Sequence, residues 1–480
     1  MLAYIFAVLG VSLVAFVAVV LVRTYRFTPH PLPTADEDEI SFDKDKAVSD
    51  LQSLVRCKTV SRINHEGEVD EEFEKLIAML PGMYPHVYEK CEFKRFPDRA
   101  LLYKWEGKNH NNPSVFMAHY DVVPVNEEDW EKPPFDGIIE DGVLWGRGTL
   151  DTKATFSGAL FAANHHIANG FVPENDIYLA FSGGEEVNGP GARHIVDYFE
   201  ANGINPELVL DEGGAVVEGA FPGLKGACAV IGIAEKGMID VEYRVKSNGG
   251  HASAPKPHTP VGVLAQACTR VEGKPFKAHV TKPVAEMFDT LGRHSTFLYR
   301  MIFANMWCFG WVIDLLGRLQ GGDINALMRT TVAFTQMSGS SASNVIPPEA
   351  TMVSNLRLNP SDTMDSALEY LTKTVNDENV QLSILRGYNP SRISVTDSVG
   401  YKRVEGAVVS TWRGCIPTPY LMMQCSDSRH WGRISDKVYR FSAMDLTKEE
   451  RGSIHGNNEK IRFECVHKCC EFFIRIMSKC

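Results

Sequence analysis

Three short apolar runs in this chain each pass directly into a cluster of polar and acidic residues. Val115 to Ala118 leads into His119-Tyr120-Asp121, Ile177 to Phe181 into Ser182-Gly183-Gly184-Glu185-Glu186, and Leu208 to Leu210 into Asp211-Glu212-Gly213-Gly214. An unbroken apolar run of this length suits a strand covered on both faces. Helical spacing fills the intervals, over Asp43 to Arg56, Lys153 to Ala168 and Ala192 to Ala201. Alternating strands and helices build an α/β sheet with helices on both sides. In an open sheet of that kind the loops leaving the strand C-termini line the ligand crevice, so the three clusters converge on one site. A fourth segment, GRGTLDTK, sets Asp151 just before a helix, with Gly146 and Gly148 free to turn tightly.

The chain has 480 residues, 44% of them hydrophobic, enough for a large core and for two or more folding units. Its 60 acidic residues outnumber 49 basic ones, a net charge of −11, which gives no reason to bind a phosphate backbone and excludes nucleic acid as a partner. Residues 1–27 form a signal anchor or a signal peptide. Leu2 to Val22 is 21 residues without a charge, long enough to cross a bilayer core of about 30 Å, and longer than the apolar core of a cleaved signal. Arg23 and Arg26 follow it and pull that side toward the cytoplasm. No glycosylation sequon occurs, because Asn112, Asn359 and Asn389 are each followed by proline. Residues 28–40, rich in proline and acid, read as an exposed linker. The body divides into a first catalytic segment at 41–235, an inserted α+β lid and dimerisation domain at 236–358, where strand alternation and a long apolar segment replace the earlier pattern, and a second catalytic segment at 359–480.

Histidine with several carboxylates and no nearby cysteine pair is the ligand chemistry of a catalytic zinc site. In the pair Glu185-Glu186 one carboxylate would bind metal while its neighbour serves as general base. Each cluster alone is more often surface or turn chemistry. Three of them, each at the end of an apolar strand, reverse that reading.

The succession HYD (119–121), GRGTLD (146–151), GGEE (183–186), LDEGG (210–214), GGHAS (249–253) and HGNNE (455–459) resembles the co-catalytic di-zinc metallopeptidases related to aminoacylase, in the branch of carboxypeptidase S and the N-fatty-acyl-amino-acid synthase/hydrolases. The resemblance runs from about Phe42 to the C-terminus and implies a mixed-sheet zinc-peptidase domain with two zinc ions per subunit. It implies that His119 and Asp211 bind one ion, Glu186 and His455 the other, and Asp151 bridges them. Asp121 would orient His119, and Glu185 would carry the proton from water to the leaving amine. His251 would reach a partner subunit's site in a homodimer formed through the lid and steady the oxyanion. Asn344 and Arg357 would hold the substrate carboxylate, a task that suits a guanidinium. Thr152 departs from the family pattern beside the bridging Asp151. The resemblance also places the body in the secretory pathway, the vacuole or the extracellular space, against the hint from Arg23 and Arg26.

Two further features carry no separate site. Cys465, His467, Cys469 and Cys470 lie on an expected amphipathic helix and read as core thiols. The apolar run from Met301 to Leu316 is too short for a second span and contains Asn305 and Asp314, so it reads as a lid helix packing on apolar substrate or on membrane. The sequence therefore describes a metal-dependent amidohydrolase, anchored in a membrane as a single-pass protein or secreted, that cleaves N-acyl amino acids, N-fatty-acyl amino acids in particular. A dipeptidase of the carboxypeptidase type is the second reading, and a catalytically silent anchored binding protein is the reading from another class.

Overall fold

A computed structural model describes residues 1–219 and 221–480. The main sheet follows the order Glu92–Phe96, Ala100–Trp105, Asn175–Ser182, Asn109–His119, Leu208–Asp211, Val438–Arg440, Ala227–Glu235 and Ile416–Met422, with Val216–Glu218 beside Ala227–Glu235. The three strands expected from the apolar runs lie together within it and run parallel, His119 standing opposite Ser182 and Phe116 opposite Leu210. Antiparallel pairs on either side make the sheet mixed.

Successive strand side chains point to opposite faces, and both faces are covered. Phe116, Ala118, Ile177, Leu179, Phe181, Leu208 and Leu210 pack into a core shared with the helices Lys44–Val55, Lys153–Ala168, Val399–Thr411 and Phe463–Met477. Val115, Met117, Tyr178, Ala180 and Val209 face a second layer of Ala192, Ile195, Val196, Phe199 and Trp431. That double burial is why the strand sequences lack polar alternation. Cys465, Cys469 and Cys470 are buried in the first layer, as expected of core thiols, and all eleven cysteines are unpaired.

A smaller antiparallel sheet has the order Thr331–Ser338, Glu349–Leu358, Gly237–Lys246, Val380–Tyr388. Here one face is dry and the other wet. Along Glu349–Leu358 the residues Ala350, Met352, Ser354, Leu356 and Leu358 are buried and their neighbours half-buried. The dry face packs on the helices Pro260–Glu272 and Met364–Val375.

Two boundaries differ from the sequence reading. The small domain, expected to end at 358, continues to Tyr388, because Ala367, Leu371, Val375 and Val380 belong to its core. Conversely, Val284, Met287, Phe288, Leu291 and Leu327, within the expected insert, belong to the core of the catalytic body. Residues 28–40 are also more than a spacer: the Arg293 and Arg475 guanidinium groups donate to the carbonyls of Thr28 and Asp38, at 3.1 and 2.8 Å, and the Asp36 amide donates to Ser410 Oγ at 2.9 Å.

The first apolar stretch forms one continuous helix, Leu2–Arg26, the one helix among the described residues that is long and apolar enough by itself to cross a membrane. The second, read from the sequence as one lid helix, is broken into Phe297–Ala304 and Met306–Gln320 with a bend of 109°. Asn305 makes the break: its backbone leaves helical geometry, with φ −127° and ψ 41°. Its side-chain amide donates to Met301 O at 2.9 Å and to Val20 O and Thr24 Oγ1 of the first helix at 3.2 Å each.

Candidate active site

The ends of the three central strands bring their acids together as the apolar runs imply. His119, the last residue of its strand, has Nε2 at 3.0 Å from Asp151 Oδ1 and 3.3 Å from Glu212 Oε1. His455 Nε2 lies 3.1 Å from the other Asp151 oxygen, Oδ2, and 3.0 Å from Glu186 Oε2. Asp151 thus divides its two oxygens between two imidazoles. Glu185 completes a second cluster with His119 and Glu212, in which the ligand atoms lie within 4.8 Å of one another.

Main-chain geometry aims these groups. The Asp121 carboxylate accepts the amide N–H of Glu185 at 3.1 Å and of Glu186 at 3.2 Å, so it fixes the turn that carries both glutamates. The nearer partner of His119 Nδ1 is the Asp121 main-chain carbonyl at 3.0 Å, with the carboxylate at 3.4 Å. Asp151 is held from below by Glu459, a buried residue of the HGNNE segment. Its carboxylate accepts the amides of Gly148, Leu150 and Asp151, at 3.0, 2.7 and 3.2 Å, and pairs with the buried Arg147 guanidinium at 2.7 Å. Gly148 adopts φ +86°, and a Cβ there would come within 2.6 Å of Val122, so the turn needs glycine. The Thr152 hydroxyl donates to Thr155 Oγ1 at 2.9 Å.

Asp211 and Glu212 divide differently from the expectation. Asp211 ends its strand buried, and its Oδ2 accepts the Ser428 amide at 2.9 Å. Glu212, the next residue, presents its carboxylate to His119. Adjacent residues leaving a strand face opposite sides, so one of the pair serves the scaffold and the other the cluster.

The electrostatics describe a site built for cations. Burial pushes the Glu212 carboxyl up to about 8 and Glu185 well above the carboxylate range, both against the pull of the His119 charge. Burial also raises Glu186, and the Asp151 charge adds to it. Burial would lower His119, yet Glu212, Asp121 and Asp151 outweigh it and hold the imidazolium well above its usual range; hydrogen bonds to Asp151 and Glu186 raise His455 to about 10. One oxygen of Glu186, Oε1, is buried without a hydrogen-bond partner. A crowd of carboxylates around two imidazoles with an orphaned oxygen is relieved by metal ions, and these nitrogen and oxygen donors suit divalent metals.

The cluster opens into a cavity of about 570 Å³. Asp151, Glu185, Glu186, Glu212 and His455 line one end; Phe221, Phe288, Phe303, Ile313 and Leu316 are among the apolar residues lining the rest. A larger crevice of about 1290 Å³ lies between residues 37–44 and the C-terminal helix, lined by mixed charges and by none of the clustered residues. Chemistry rather than volume identifies the site.

The sequence pattern of peptidase family M20/M25/M40 matches residues 115–479. The chain belongs to this family. The N-fatty-acyl-amino acid synthase/hydrolase of Xenopus tropicalis is 33% identical to this M20-family chain, over 98% of it and 93% of the relative. The probable carboxypeptidase S-like 2 of Dictyostelium discoideum is 30% identical, over 97% and 92%. Among solved structures, the M20 family metallo-carboxypeptidase Sso-CP2 of Sulfolobus solfataricus superposes with a TM-score of 0.65 at 17% identity, covering 90% of this chain and 98% of the other. Family membership makes the chain a metal-dependent hydrolase on the α/β M20 fold.

Other expected residues of the M20-family chain lie outside the cluster. His251 is exposed on a two-stranded ribbon, paired with Val345, and its Nδ1 contacts Ser253 Oγ at 2.7 Å. Asn344 is exposed beside the same ribbon, its carbonyl accepting the Ala252 amide. Neither lines the cavity. Arg357 does approach it, donating to Sγ of the cavity residue Cys425 at 3.4 Å. Sequence reasoning left Glu459, Glu212, Asp427 and Arg429 without roles. Asp427 accepts the Ser182 hydroxyl at 2.5 Å, and the Arg429 guanidinium lies over the Tyr388 ring at 5.1 Å with its Nη2 3.7 Å from Asp427. Of these, Glu459 and Glu212 lie inside segments already quoted for the family, whereas nothing in SDSRH points to a site before the fold brings it under the strand ends.

Proposed function

We propose that the chain hydrolyses the amide bond of N-acyl amino acids, long-chain N-fatty-acyl amino acids first among them, with two zinc ions held in the His119–His455 cluster. Asp151, which lies between the two imidazoles, would contribute to both ions. His119 and Glu212 would hold the first, Glu212 in the place expected for Asp211, and Glu186 and His455 would hold the second. When bound, the ions polarise the substrate carbonyl and lower the pKa of the attacking water. Glu185 takes the proton from that water and delivers it to the amine nitrogen of the departing amino acid. Asp121 keeps the amides of Glu185 and Glu186 in place, and Glu459 does the same for Asp151.

The observation that carries the substrate class is the composition of the cavity: one part acidic and imidazole-bearing, the remainder mostly aromatic and aliphatic, with Asp323, Gln424, Ser442 and Arg451 as its polar residues. A small dipeptide such as Gly-Leu has no long hydrocarbon chain to fill that volume. Arg357 and Arg429 near Cys425 supply guanidinium groups for the free carboxylate. Leu2–Arg26 serves as a membrane anchor. His251 and Asn344, exposed on their ribbon, are free to meet the site of a second copy in a homodimer.

The test is a pair of rates from purified, zinc-loaded, full-length protein on N-oleoyl-phenylalanine and on Gly-Leu. The acyl amino acid is expected to be the faster substrate. Glu185→Gln is expected to lower that rate by about 10³-fold while zinc content and melting temperature hold. Faster hydrolysis of Gly-Leu would overturn the acyl reading, and an unchanged Glu185→Gln rate would place the activity elsewhere.

A further inference from the structure

The two apolar elements that the sequence reading kept apart, the first helix and the lid segment, are docked on each other. The Arg23 guanidinium caps the end of Phe297–Ala304, its Nε and Nη2 donating to Ala304 O at 3.2 and 3.1 Å. Asn305 is fully buried against Val20 and Thr24, the only buried residues of the first helix. Tyr25 packs on Phe297 at 5.7 Å and Phe16 on Trp307 at 5.8 Å between ring centroids. The bent pair therefore climbs beside the first helix from the level of Tyr25 to that of Phe16. Ten residues separate Phe16 from Arg26, about 15 Å along a helix axis, or half the thickness of a hydrocarbon core. If Leu2–Arg26 spans a bilayer, the bend at Asn305 lies within the adjoining leaflet, and a polar side chain satisfied wholly between helices is what that setting requires.

The outer surface of the second helix fits the same setting. Trp307, Trp311, Leu315 and Leu319 recur every four residues and are 59%, 67%, 45% and 75% exposed. Ile313 on the opposite side and Val312 on the flank line the active-site cavity. Leu316 does both, lining the cavity while 45% exposed, so along this helix a single layer of side chains separates the cavity from the exterior.

We propose that Phe297–Gln320 is embedded in the leaflet that adjoins the catalytic body, and that the cavity takes its acyl substrate from the hydrocarbon of that leaflet rather than from water. The membrane contact follows from the docking of the apolar helices. The entry route rests on the N-acyl amino acid reading.

Two readouts separate them. Full-length protein is reconstituted in phosphatidylcholine vesicles with or without bromine on the acyl chains, which quenches only tryptophans that touch hydrocarbon. The first helix has no tryptophan, so quenching in the wild type that disappears in the Trp307→Phe/Trp311→Phe variant is expected. Equal emission in both lipids, or the same quenching in the variant, would overturn the membrane contact whatever the enzyme hydrolyses. Trp311→Glu/Leu319→Glu is then expected to slow hydrolysis of vesicle-borne N-oleoyl-phenylalanine about tenfold and to leave water-soluble N-acetyl-phenylalanine unaffected. An equal effect on both substrates, or none on either, would overturn the entry route. Absence of activity on both in the wild type would instead refute the proposed function and leave the quenching result standing.

Discussion

The two ends of the cavity are built by opposite means. At the acidic end the turns that carry the carboxylates are held by hydrogen bonds from elements far apart in sequence: Asp121 holds the Glu185 and Glu186 amides, Glu459 holds three amides of the Gly148–Asp151 turn, and the Ser428 amide holds Asp211 at the base of the Glu212 turn. At the apolar end Phe221, Phe288 and Phe303 pack ring to ring, at 4.8 to 6.1 Å between centroids, and the wall beyond them is a bent helix pair with an exposed back. Reaction chemistry needs fixed distances and angles, so it sits where backbone amides and charges leave little freedom. Recognition of an acyl chain needs only volume and apolar surface, and non-directional contacts supply both.

The contrast predicts substitutions with different signatures. The largest effect is expected at the acidic end. Glu212→Gln should weaken zinc binding about 100-fold or more, measured by competition with a chelator, and Asp211→Asn far less. The reverse order would return the ligand role to Asp211. Glu459→Gln should follow. It leaves Arg147 buried without its counter-ion and loosens the turn under Asp151, so zinc affinity should fall about tenfold and stability by about 3 kcal/mol, read by calorimetry. A variant with native stability and weakened zinc binding would limit Glu459 to positioning; one with native zinc binding would refute that role. The smallest effect belongs to the apolar end. Phe303→Ala removes one aromatic wall and should raise KM for N-oleoyl-phenylalanine about tenfold, with kcat and the rate on N-acetyl-phenylalanine little changed. A fall in kcat for both substrates would show that the wall also aligns the reacting groups.

Much of the acidic end was legible in the sequence, because a strand that runs from apolar residues straight into acids fixes where those acids must emerge. His119, Asp151, Glu185 and Glu186 meet as that pattern and the family resemblance imply. His455 came from the resemblance alone, since its segment lies far along the chain from the rest of the cluster, and the structure brings it to Asp151 and Glu186. The choice between Asp211 and Glu212 was not legible. It depends on which way the chain turns as it leaves the sheet, and a shift of one residue reverses the face. Asp427 and Arg429 were equally hidden, because their importance comes from the short helix that Trp431 pins against the second layer. The domain edge at 358 was misplaced for a related reason. Met364–Val375 has an ordinary amphipathic pattern, which says that it packs on something but not on which of two sheets.

By itself the sequence determined what local physics and residue chemistry can state: apolar strands that must be covered on both faces, acids at their ends, a first helix long and apolar enough to cross a membrane, and a family's motifs. Only the tertiary structure decided how those pieces meet. It split Asp151 between two imidazoles, placed Glu459 beneath it, bent the lid segment at Asn305 and docked that bend on the first helix. The reason is that periodicity encodes which face of an element is buried, whereas the partner that buries it is chosen by long-range packing and by the need to satisfy every enclosed polar group.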